Sequence, residues 1–195
     1  MRSLTEPLRK RKLLRAIGFD DSPFQKKVDS HISIAGVVCS GTRFEGMLWG
    51  QVEHDGLDAT NVISKLVRES KFHSQLNVVL TDGITVGGFN LIDLPALAES
   101  IQIPCIAVMR DLPDLPAFFH AMKNVNREEE RLAIVSRAGE IHSMGGFHFQ
   151  VAGCEPELAA EALGRLTDTG DVPEALRLAH LIGSAVKLGE STKRA

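Results

Sequence analysis

The chain has 195 residues, 44% hydrophobic and 24% charged, with a net charge of −3. That balance is the balance of a folded globular domain and excludes disordered and low-complexity classes. No run of about 20 apolar residues is present to span a bilayer, and Arg15 and Asp20-Asp21 interrupt the basic start before it could serve as a secretory signal.

Residues 1–15 hold six basic side chains (Arg2, Arg9, Lys10, Arg11, Lys12 and Arg15) against Glu6, a local charge of +5, so the remaining 180 residues carry −8. Residues 1–12 therefore read as a basic N-terminal arm, and 13–191 as one domain. The three cysteines, Cys39, Cys105 and Cys154, are widely spaced and form no Cys-x-x-Cys pair. They are expected to be reduced thiols in a cytoplasmic protein, and zinc sites built on cysteine pairs are excluded.

Residues 13–19, apolar but for Arg15, read as a buried strand ended by Asp20-Asp21-Ser22-Pro23. Strands are predicted over 32–39 and 44–53, joined by the turn Ser40-Gly41-Thr42-Arg43. The period then lengthens. Val62, Ile63, Leu66 and Val67 fall at helical spacing, which predicts an amphipathic helix over 58–71. A fourth strand, 76–81, ends on Asp82-Gly83, and a fifth spans 103–109 after a helix at 93–101.

Asp-Leu-Pro occurs at 93–95, 111–113 and 114–116, and at least two of these copies are expected to open helices. Helices follow over 114–123 and 126–132, a strand over 147–151, and helices over 155–166 and 173–187. His142 and His148, around a glycine pair, read as loop histidines. A meander followed by βαβ crossovers predicts an α/β fold: a mixed five-stranded sheet with helices on both faces.

In such sheets chemistry collects where strands end. Asp20 ends the first strand, Asp82 ends the fourth, and Asp58 opens the first helix. If strands one and four are neighbours, Asp20 and Asp82 lie side by side. Like charges raise each other's pKa, and a divalent cation resolves the crowding. Carboxylate oxygens suit Mg²⁺ or Mn²⁺, which also bind phosphate oxygens.

Each acid also has a plainer role. Asp58 and Asp93 sit where helix caps sit, with metal or supporting roles second for Asp93. Asp20-Asp21-Ser22-Pro23 and Asp82-Gly83 are also turn sequences. The segment Gly83-Ile84-Thr85-Val86-Gly87-Gly88 lacks the Lys-Ser/Thr of a phosphate loop and the spacing of a dinucleotide site. Arg177 and His180 share one face of the last helix, either as a solvated stripe or facing a phosphate.

Several segments together resemble one family. They are Lys12-Leu13-Leu14-Arg15-Ala16-Ile17-Gly18-Phe19-Asp20-Asp21-Ser22-Pro23-Phe24, Asp55-Gly56-Leu57-Asp58-Ala59-Thr60 and Asp82-Gly83-Ile84-Thr85-Val86-Gly87-Gly88-Phe89-Asn90-Leu91-Ile92-Asp93. Near the C-terminus they are joined by Pro173-Glu174-Ala175-Leu176-Arg177-Leu178-Ala179-His180-Leu181-Ile182 and Gly189-Glu190-Ser191. Over about residues 10–191 the chain resembles the endonuclease dU family, which is similar to endonuclease V and has an RNase H-like fold.

The resemblance implies sheet order 3-2-1-4-5 with the second strand antiparallel. It also implies Mg²⁺-dependent phosphodiester cleavage near a deaminated base, uracil or hypoxanthine, as in DNA repair. Asp20, Asp58 and Asp82 are then the metal ligands and His180 the fourth catalytic residue, with Asp21, Asp93 and Arg177 in support. Arg15, Lys26, Lys27 and Arg43 become candidate contacts to nucleic acid, DNA before RNA. The chain has no Tyr and no counterpart of the Pro-Tyr-Ile-Pro segment with which endonuclease V opens a strand. A non-catalytic nucleic-acid-binding module and a small-molecule phosphohydrolase are the alternatives. Oligomeric state is left open, a homodimer included.

Overall fold

The computed structural model describes residues 1–26 and 28–192. Three antiparallel strands, β1 (Arg15–Asp21), β2 (His31–Ser40) and β3 (Arg43–Glu53), form the expected meander. Helix α2 (Ala59–Glu69; α1 is the short helix Thr5–Arg9) leads to β4 (Val78–Asp82), which pairs parallel with β1. A two-stranded hairpin follows, β5 (Thr85–Val86) with β6 (Asn90–Leu91). Helix α3 (Leu94–Ile101) then crosses back to β7 (Cys105–Met109), parallel to β4.

Helices α4 (Leu115–Met122) and α5 (Glu128–Arg137) precede the strands β8 (His142–Met144) and β9 (Phe147–Ala152). Helices α6 (Pro156–Leu166) and α7 (Glu174–Leu188) complete the fold. Among the described residues no helix is long and apolar enough to cross a membrane.

The main sheet has seven strands in the order β3-β2-β1-β4-β7-β9-β8. Its first five follow the order 3-2-1-4-5, and the β8–β9 hairpin extends it past β7. His142 and His148 therefore lie on strands and not on a loop. Met144 pairs with Phe147 across Gly145-Gly146, whose φ values of 62° and 87° give the tight two-residue turn that only glycine enters freely.

Strand alternation sends odd and even residues of β1 to different faces. Ile17 and Phe19 pack with Ile63 and Val67 of α2 and Leu97 of α3. Ala16 packs on the opposite face with Leu80, Phe149, Leu163 of α6 and Leu176 of α7. The first twelve residues contribute to that second core, because Leu4 and Leu8, at α1, are buried in it. Two Asp-Leu-Pro copies open helices. Asp93 accepts the Ala96 N–H at 3.2 Å, and Asp114 accepts the Ala117 N–H at 3.0 Å. All three cysteines are free, and burial pushes their thiols up, Cys39 to about 12.

Candidate functional site

The parallel register of β1 and β4 sets Phe19 beside Thr81. One step further along both strands, Asp20 stands beside Asp82, and the two acids line one small cavity with Asp21 and Thr85. Both strands stop here, so the carboxylates project from the edge of the sheet. Asp20 is 7% exposed. The Asp82 side chain is about a third exposed, and Nη2 of Arg110 lies 3.9 Å from its Oδ2. Thr81 Oγ1 donates to the Gly83 carbonyl at 2.7 Å, and Gly83, at φ 67°, turns the chain away.

Helix α7 crosses this face close to β1. A Cβ on Gly18 would lie 2.7 Å from both the Ala175 carbonyl carbon and the Leu176 backbone nitrogen, so only glycine admits the helix. The approach brings His180 Nδ1 to 2.9 Å from Asp20 Oδ2. On the other edge of the ring, Nε2 lies 3.0 Å from Thr192 Oγ1, in the segment that returns after the helix ends at Gly189.

The electrostatics follow from this packing. Burial, then the charge of Asp20, push Asp82 up to about 6, against the pull of Arg110 and His180. Asp21 also rises to about 6, through burial first, with the Gly87 N–H opposing and Asp20 and Asp82 reinforcing. His180 is raised above 6.5, first by its hydrogen bond to Asp20. Asp21 and Asp82 are thus acids whose ionisation is resisted, beside one histidine whose protonation is favoured.

Asp21 turns to the opposite face and accepts the Gly87 N–H at 2.6 Å. That contact starts a network holding the β5–β6 hairpin. The Gly87 carbonyl accepts the Asp55 N–H at 2.9 Å, and Asp55 Oδ1 accepts the Phe89 N–H at 2.7 Å. Arg131 of α5, 2% exposed, donates to the carbonyls of Asp55, Gly56, Phe89 and Asn126.

Asp58 is held within this same scaffold. Its Oδ1 accepts Asn90 Nδ2 at 2.5 Å and the Glu53 N–H at 3.1 Å, and it makes no side-chain cap to its own helix. It is not among the charges that shift Asp21 or Asp82. Among the described residues no three His, Cys, Asp or Glu side chains converge as a ready cation cage. The structure thus joins Asp20, Asp82 and His180, with Asp21 behind them, and sets Asp58 in the hairpin network.

The remaining candidates scatter. Asp93 caps α3 and meets Arg137 Nη2 at 2.7 Å. Arg177 is paired with Glu174 at 2.7 Å. Arg15 binds Glu45 at 2.5 Å, and Arg43 reaches the same carboxylate at 3.2 Å. Arg15 precedes Asp20 by five residues, about 17 Å along an extended strand, so these two arginines occupy the opposite end of the sheet. Lys26 lies on the carboxylate side, in a cleft that also contains Thr85. Lys27 falls outside the described residues.

Sequence reasoning passed over Arg110, Asn90 and Arg131. Arg110 had a readable signal, since it directly follows the strand parallel to β4. Arg131, within the charged run Glu128-Glu129-Glu130-Arg131, had none.

A family model described as endonuclease dU matches residues 12–187. The chain belongs to the endonuclease dU family. Among its relatives is a UPF0215 protein of Archaeoglobus fulgidus, 39% identical over 93% of this chain and 98% of the relative. The crystal structure of a protein of unknown function from Archaeoglobus fulgidus matches this endonuclease dU family member with a TM-score of 0.84 at 39% identity, covering 89% of this chain and 98% of that one.

Endonuclease V of Ciona intestinalis, solved in complex with DNA containing an inosine, matches with a TM-score of 0.58 at 17% identity over 94% of both chains. Endonuclease V of Bacillus subtilis matches with 0.60 at 10% identity, over 94% of this chain and 89% of that one. At these identities the likeness establishes a shared fold. The endonuclease dU family member thus has the endonuclease V architecture, with helices on both faces of a mixed sheet.

Proposed function

We propose that the chain is a Mg²⁺- or Mn²⁺-dependent endonuclease that hydrolyses a phosphodiester bond in DNA beside a deaminated base, in the service of repair. The adjacency of Asp20 and Asp82 at the paired ends of β1 and β4 carries this reading. Asp20 raises the pKa of the neighbouring Asp82, and two adjacent carboxylates form a donor set that a hard dication relieves. Family membership and the shared endonuclease V fold support the same reading.

Asp20 and Asp82 would hold the cation. Mg²⁺ is commonly bound by one or two carboxylates, its remaining positions going to water and phosphate oxygens. When bound, the ion supplies Lewis acidity toward a phosphoryl oxygen and lowers the pKa of water. His180 keeps a proton at Nδ1 toward Asp20 and fixes the rotamer of that carboxylate. Arg110 offsets the charge of Asp82 and presents a guanidinium to the phosphate. Asp58 acts one step back, through Asn90, on the hairpin beside Asp21.

A base can be received next to these groups. An apolar pocket of about 150 Å³ opens beside Gly83, with Ile84, Met109, Pro113, Phe118 and the buried amide of Gln150 among its walls. Such a pocket matches an unstacked base, gripped by its faces and read by few polar groups.

The test is incubation with single- and double-stranded oligonucleotides carrying uracil or hypoxanthine, with and without Mg²⁺ or Mn²⁺. Cation-dependent cleavage is expected. Asp20→Asn and Asp82→Asn should each lower it by more than the roughly 10–100-fold typical of residues that only orient a metal ligand. Cleavage that persists in either variant overturns the assignment. Binding without cleavage under any cation would favour a binding module, and turnover of nucleotides alone a phosphohydrolase.

A further inference from the structure

A wider cleft of about 580 Å³ lies next to the base pocket, and Thr85 and Phe118 line both. Phe118 is therefore the wall between them. The cleft is bounded by Phe24, Phe89 and Phe118, with Lys26 and Asn124 also lining it. Phe118 belongs to α4, whose only fully buried residue is Met122, and Leu115 on the same helix is 42% exposed. This helix carries apolar side chains that the core does not use. Phe89 meets Phe118 at 5.5 Å between ring centroids, and Phe118 meets Phe119 at 5.7 Å.

The cleft lining holds one cation and one carboxylate. Among the described residues Lys26 makes no ion pair, and its side chain is exposed. The acid that also lines the cleft, Asp55, already accepts the Phe89 N–H. Half-exposed rings beside an uncommitted cation suit a single-stranded nucleic acid, because every base has a face to stack and every linkage a phosphate.

We infer that the Phe24–Phe89–Phe118 cleft is a second nucleobase subsite, in which the unpaired base neighbouring the one in the pocket stacks on Phe118 while Lys26 holds its phosphate. The inference rests on the nucleic-acid reading above. It specifies that the strand is engaged unpaired over two nucleotides.

The test is fluorescence anisotropy with labelled single-stranded oligonucleotides in Ca²⁺. One oligonucleotide carries uracil alone, and two others carry an abasic site 5′ or 3′ of it. Phe118→Ala should weaken binding of the first by roughly 5- to 150-fold, the range for loss of one base–aromatic stack. One of the abasic oligonucleotides should bind the wild type correspondingly worse, yet lose little more in Phe118→Ala, since both changes remove one contact. Phe118→Trp should restore binding, with its indole fluorescence quenched by the oligonucleotide. Lys26→Ala should reduce the slope of log K against log salt by about 0.7.

Equal affinity of wild type and Phe118→Ala, additive abasic and Phe118→Ala effects, or no binding by the wild type would overturn the subsite. Should Phe118→Ala not fold, the Trp variant and the abasic oligonucleotides in the wild type decide. Binding with this pattern but no cleavage in Mg²⁺ would defeat the endonuclease reading and leave the subsite standing.

Discussion

His180 Nδ1 lies 2.9 Å from Oδ2 of Asp20, closing a contact between residues 160 apart in the chain. This bond and the Asp20 charge hold the imidazolium above its ordinary 6.5. A histidine with a raised folded-state pKa contributes stability that is complete below 6.5 and is lost as pH rises through the raised value. Asp20→Asn removes both the bond and the charge. The His180 ring, followed by NMR, should then titrate at lower pH, and the loss of wild-type stability above pH 6.5 should be smaller in the variant. An unchanged His180 titration would mean that Asp20 is not its partner in solution.

Asp82 shifts stability in the same direction, over a lower pH window. Its folded-state pKa of about 6 lies above its ordinary 3.8. Between these values the folded protein keeps a proton that the unfolded chain has released, so stability falls as pH rises across that window. Two pK units would correspond to about 2.7 kcal/mol, and partial exposure reduces the figure to about 1–2 kcal/mol. Asp82→Asn should therefore raise the Tm at pH 7 without divalent cations and leave it unchanged below pH 3.8. Mg²⁺ should stabilise the wild type more than the variant. A lower Tm for Asp82→Asn at pH 7 would contradict the raised pKa.

The ends of the strands were the legible part of the site. Apolar runs that stop on Asp20 and Asp82 bring the two acids level once β1 and β4 pair in parallel, an adjacency that the residues left conditional and the family resemblance implied. Asp93 was legible as a cap, because Asp-Leu-Pro at a helix start has one common geometry. The β8–β9 hairpin was not. Its strand β8 has only three residues, and the signal lay in the Gly145-Gly146 pair. Asp58 shows the limit of position alone. Its place at the start of α2 was clear, but its carboxylate is oriented by Asn90, 32 residues away, and no local pattern encodes that bond. Arg15 is adjacent to the motif in sequence yet distant in space, because a strand carries its two ends apart.

Arg131 should be the most sensitive position outside the acid pair. Its guanidinium satisfies carbonyls at Asp55, Gly56 and Phe89, joining the loop before α2 to the hairpin after β4. Replacement by Met leaves those buried acceptors without donors, at a cost of about 3–5 kcal/mol. Arg131→Lys should recover only part of this, since an ammonium cannot reach several carbonyls in a planar fork. Thermal melting checks the order: wild type, then Lys, then Met. Equal melting of the Lys and wild-type proteins would mean that charge alone matters there.

Gly18 tests whether the position of α7, rather than the chemistry of His180 alone, governs the site. An added methyl group would meet backbone atoms of Ala175 and Leu176 at 2.7 Å, and backbone cannot rotate away as a side chain can. The helix must move outward, carrying His180 with it, five residues beyond the point of contact. Overpacking of this kind costs about 1–3 kcal/mol, which a domain of ordinary stability survives folded. Gly18→Ala should therefore remain folded with a reduced Tm, and its His180 titration should shift toward that of Asp20→Asn because the 2.9 Å bond is stretched. A variant with reduced Tm but a wild-type His180 titration would show that the helix yields elsewhere and that the Asp20–His180 contact is stronger than the packing beneath it.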